Sequence, residues 1–184
     1  MHLLHKLLVY IPDVVSTPEH YTRKDLINEI RFYADINTED FCPMVFHYRE
    51  TENAGDWSTL YPTNVLFSKD DPARFLQELT AAAEQQQQEV QSNLSHLKKM
   101  LGTDLEEIIS GLEKQQSGYR SPKTCCRKTG DCLYQIAALL NGTYTFHSCF
   151  YNLNDRTARL YQDVLTEVEN SPSDWALVLF DYSD

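Results

Sequence analysis

Glycine and proline are scarce, at six and seven residues in a chain of 184. So few turn formers disfavour a fold of many short strands and point to long regular elements. The glycines, at 55, 102, 111, 118, 130 and 142, never cluster, so the chain has no glycine-rich phosphate loop. The GxSxG, HExxH and EF-hand patterns are missing too. Positive charge is also in short supply: 16 Lys and Arg stand against 27 Asp and Glu, a net charge of −11. That balance argues against direct binding to nucleic acid, whose affinity comes largely from cations that displace counterions. A basic protein partner is the easier match.

No run approaches the 18 or more apolar residues of a spanning helix, which argues against a membrane protein. In LLHKLLVYI, Lys6 interrupts the apolar run and IPDVV follows without a small-residue cleavage site. The segment therefore reads as a strand rather than a signal peptide. Five cysteines without a secretory signal suit reduced thiols in the cytoplasm.

Three of those cysteines fall in SPKTCCRKTGDC, residues 121–132. Structural zinc asks for paired ligands such as CxxC, and none occurs. Cys125 and Cys126 are adjacent, and adjacent side chains diverge in extended chain. His147 and Cys149 share a face if TYTFHSCF (143–150) is a strand, but the expectation is of no metal and no other cofactor. As a nucleophile, Cys132 is the best candidate. If Asp131 caps a helix through Leu133, Ile136 and Leu140, Cys132 lies in its first turn, where a thiolate is favoured. His147 is the candidate base.

The charge map carries more than the thiols. Lys114, Arg120, Lys123, Arg127 and Lys128 lie within 114–130 with no acid among them, whereas 32–68 and 160–184 each hold six acids. Lys123, Arg127 and Lys128 are thus candidate docking residues, for a partner or for the protein's own acidic surface. Glu50, Glu52 and Asp56, beside Trp57 and Tyr61, make a matching acidic and aromatic candidate interface.

With 42% hydrophobic and 23% charged residues, the chain reads as one domain over residues 1–184. Residues 2–11 and WALVLFDY (175–182) are apolar on both faces, the mark of central strands. MVFHYRE (44–50) and TYTFHSCF read as further strands, the latter leading through a helix into the last strand as a parallel crossover. Thr22 with Asp25 starts a helix to about 34. Asp71-Pro72 starts a much longer one, whose leucine stripe is broken at Gln86, while EQQQQE (84–89) reads as a solvated face. Gly102, then Thr103 with Glu106, turn it into a helical hairpin over 71–116. The expected fold is α+β: a mixed sheet of four to five strands with the terminal strands central, flanked by helices, and the hairpin in mid-chain. The expected function is a non-enzymatic protein-binding or regulatory module, in its sharper form an acidic inhibitor of a nucleic-acid-binding surface. The alternative is an enzyme at Cys132 and His147 acting on a phosphate-bearing substrate.

Overall fold

A computed structural model describes residues 2–38, 48–101, 124–141, 146–160 and 162–183. The sheet is built on β1 (His2–Tyr10) and β5 (Trp175–Ser183), which pair antiparallel from His2↔Ser183 to Tyr10↔Trp175. On the far side of β1 lies β4 (Phe150–Asn152), parallel to it. Along the other edge of β5 run β2 (Tyr48–Glu50) and β3 (Val65–Phe67) in succession, both antiparallel. The sheet is therefore mixed and five-stranded, with β1 and β5 central.

Both faces of these central strands are covered, as their two-sided apolar sequences require. On one face Leu7, Val9, Val178 and Phe180 pack with α1 (Ile11–Val14) and α2 (Arg23–Thr38) through Ile11, Leu26, Ile30 and Ala34. On the other, Leu8 and Leu177 meet α3 (Pro72–Leu101) and α5 (Gln162–Asn170) through Phe75, Leu79, Val164 and Val168. Between these two helices in the chain comes α4 (Thr124–Asn141).

Local chemistry sets the helix starts. The Thr22 hydroxyl accepts the Asp25 N–H at 3.2 Å and donates to the Asp25 carboxylate at 2.6 Å. α2 outlasts its expected end at 34 by a turn, because Leu26, Ile30, Ala34 and Thr38 form one buried stripe. Asp71 accepts the Arg74 N–H at 3.0 Å, and Pro72 is the first residue of α3. The break in the stripe at Gln86 is a buried junction. Its side chain donates to Ser148 Oγ and Ala158 O, both at 3.0 Å, and accepts the Leu160 N–H at 2.9 Å. Glu84, Gln85, Gln87 and Gln88 are exposed and Glu89 is half-buried, so Gln86 is the one buried residue of that tract.

The chain divides into two compact units, Met1–Gln86 with Thr145–Asp184, and Gln87–Tyr144. In the second, the expected hairpin's return arm, 103–116, lies outside the described residues.

Three expectations are corrected. Of the strand expected at 143–150, residues 143–145 lie outside the described residues and 146–149 form a turn before β4 starts at Phe150, because Cys149 takes φ +48 and its N–H donates to Phe146 O at 3.2 Å. His147 and Cys149 therefore do not share a strand face. The final strand is no parallel crossover: β4 runs with β1 and β5 runs against it. Finally, the helix expected to be capped by Asp131 is already under way at Thr124, since α4 runs through Gly130 despite its cost of about 1 kcal/mol. Asp131 is thus interior and caps nothing. Cys132 lies beyond the first turn, where the helix dipole fades.

Candidate functional site

The acidic and aromatic stretch 50–57 crosses one end of the sheet on a backbone tied at nearly every step. The Asn64 side-chain amide donates to Thr51 O at 3.0 Å and to Leu179 O at 3.3 Å. Asn64 itself is buried at φ +45, a conformation asparagine tolerates better than most residues. Arg31 donates to Glu52 O, the Glu50 carboxylate accepts the Glu52 N–H at 3.0 Å, and the Asn53 side chain accepts the Gly55 N–H at 2.7 Å. Ala54 is fully buried.

Asp181 is the anchor beneath this stretch. It is a buried carboxylate near the end of an otherwise apolar strand, and it accepts the Asp56 N–H at 3.1 Å. His2 Nδ1 lies 3.0 Å from both Asp181 oxygens and 3.7 Å from Asp56 Oδ2. These three residues offer donor atoms within 4.8 Å of one another, a set of imidazole and carboxylates that suits a divalent cation. The contacts observed already employ them as a hydrogen-bonded pair and a backbone anchor.

A second tie holds the following loop to α3. Lys6 donates to Glu78 at 2.7 Å and the Tyr61 hydroxyl donates to its other oxygen at 2.6 Å. Arg74 lies 4.7 Å over the Tyr61 ring and donates to Leu60 O at 2.7 Å. Burial acts to raise the Glu78 pKa, but Lys6, Tyr61 and Arg74 outweigh it and hold the carboxyl below its usual range. Burial, reinforced by the Glu78 carboxylate, pushes the Tyr61 hydroxyl up to about 12.

On the opposite face of β1, His5 is fully buried between the rings of Tyr151 and Tyr182, at centroid distances of 5.5 and 4.1 Å. Burial pulls its pKa down to about 4 against the opposing pull of Asp181, so the imidazole is neutral at pH 7.

The sequence-derived candidates fall out as follows. Glu50 and Trp57 are half-buried, while Glu52 and Asp56 are exposed on the same tied stretch. His147 is exposed in the turn before β4, and Cys149 two residues on is buried. Lys123 lies outside the described residues, as do the side chains of Arg127, Lys128 and Cys132, whose backbone belongs to α4. Sequence reading missed His2, Gly55 and Asp181. The available signal was Asp181, a lone acid within the apolar run of β5.

No protein-family model matches the chain, and no curated protein or solved structure does either.

Among the described residues, no helix is long and apolar enough to cross a membrane.

Proposed function

We propose that the chain is a non-enzymatic protein-binding or regulatory module that presents its 50–57 stretch to a basic surface of another protein. In the sharper form of this reading the partner surface is one that otherwise holds nucleic acid, with carboxylates standing in for phosphates. The observation that carries it is the exposure of Glu52 and Asp56 on a backbone fixed by Asp181, Asn64 and Arg31. A fixed acidic stretch meets a partner without the entropy loss of ordering a loop. Half-buried Trp57 adds an aromatic surface of the kind enriched at interfaces.

The test is a paired capture from cell lysate at low and moderate salt, with the native protein and the Glu52→Gln/Asp56→Asn variant as baits. Basic proteins retained by the native bait, and lost both with the variant and with salt, are the expected result. Identical sets on the two baits would overturn the proposal.

A further inference from the structure

One face of α2 gathers cations in an otherwise acidic chain. At about 100° per residue, Arg23, Lys24, Asn28 and Arg31 fall on one side of the first three turns of the helix, with Asp35 a turn beyond Arg31 on that side, while Asp25 and Glu29 fall on the other. In the linear sequence these charges lie interleaved, and the first three turns of the helix separate them. Across from the cationic side, Thr63 and Glu52 complete a cleft of about 390 Å³. Its lining carries three cations and one carboxylate.

The donors of the two arginines are partly committed, and the rest stay available to a ligand. Arg23 pairs with Asp70, and its guanidinium lies 3.7 Å over the Phe67 ring. Arg31 donates to Glu52 O and, at 2.7 Å, to Asn28 Oδ1. Each guanidinium has five N–H donors, so these bonds fix the forks and leave donors over. Lys24 is exposed and makes no ion pair among the described residues.

We propose that this cleft binds the phosphate of a small phosphate ester, held by Lys24 and the forks of Arg23 and Arg31. Planar guanidiniums flanking a mobile ammonium suit a tetrahedral oxyanion, which takes several charge-assisted hydrogen bonds at once. The site borders the acidic interface, sharing Glu52 and Arg31 with it, and takes a ligand of the opposite charge. The same ester group occurs on a free nucleotide and on a phosphorylated side chain.

Isothermal titration calorimetry at constant ionic strength tests it, with inorganic phosphate, adenosine monophosphate and O-phosphoserine as probes. Saturable binding is expected, weakened about tenfold by Lys24→Glu, the loss of one charge-assisted contact. Arg31→Lys, which keeps the charge and loses the fork, also weakens it. Lys98→Glu makes the same charge change outside the cleft, in the last turn of α3, and leaves affinity within about twofold. Tighter binding of the nucleotide than of phosphoserine marks a free nucleotide as the source, and the reverse order marks a phosphorylated side chain. Absence of saturation with all three probes, or equal weakening by Lys24→Glu and Lys98→Glu, overturns the site.

Discussion

Gly55 and Asp181 approach so closely that a Cβ on the glycine would lie 2.0 Å from Asp181 Oδ2. Gly55 also has φ +50, in the left-handed region. Two independent constraints thus exclude a side chain there, and both arise from the way the acidic stretch rests on the end of β5. Gly55→Ala is expected to cost about 2–4 kcal/mol from backbone strain and overlap together. A lowered urea midpoint at unchanged slope is the readout. An unchanged midpoint would mean that the stretch is not seated on Asp181.

The His2–Asp181 pair yields to a double-mutant cycle. Asp181→Asn keeps an acceptor for the Asp56 N–H while losing the charge. It should destabilise by about 1–3 kcal/mol, as expected for a buried charge-assisted bond. His2 is 46% exposed at its side chain, so the coupling between His2→Ala and Asp181→Asn should be small but measurable, about 0.3–1 kcal/mol. Strict additivity in denaturant titrations would show that the pair is not formed.

His5 gives stability a defined pH dependence. Its pKa falls from 6.5 to about 4 on folding, so between these values the unfolded chain binds the extra proton. The contribution is complete above pH 6.5 and is lost as the pH drops towards 4. From pH 7 to pH 5 it amounts to about 2 kcal/mol. The loss of stability over that interval should be smaller by this amount in His5→Phe. Parallel curves for the two proteins would count against a neutral buried imidazole.

Two neighbouring glutamines should behave in opposite ways. Gln86→Ala strands the Leu160 N–H, Ala158 O and Ser148 Oγ, and is expected to cost about 2–4 kcal/mol. Exposed Gln87→Ala should stay within about 0.5 kcal/mol. Thermal unfolding of the two variants side by side decides the matter, and equal shifts would show that Gln86 is not the junction.

The fold was most legible where one local signal dominated. The two-sided apolar runs of β1 and β5, the Thr22 cap and the Asp71-Pro72 start each appear where a single rule puts them. β3, three residues long, is too short for any period and was not foreseen. β4 was misplaced because the positive φ of Cys149 leaves no mark in a run of β-favouring residues. At the candidate site, Glu50, Glu52 and Asp56 could be picked out by their density of charge. Their anchors could not, because Asp181 is 125 residues from Asp56 and only strand pairing brings them together. The cationic face of α2 stayed hidden because interleaved charges sum to little until the helical period is applied.

The placement of β1 has a consequence for how the chain is made. Its two sheet neighbours, β4 and β5, are encoded after residue 149, and the β1–β5 pairing joins residues as far apart as His2 and Ser183. At the usual rates of synthesis, HLLHKLLVY waits roughly 7–30 s for a partner strand. Throughout that interval it is an apolar, β-prone segment with open edges, the kind that holdase chaperones grip and that aggregates at high expression. Ribosome-bound chains halted at residue 149 should therefore remain sensitive to protease within β1, whereas full-length chains resist it. The sheet closes late, and its first strand spends the longest time exposed.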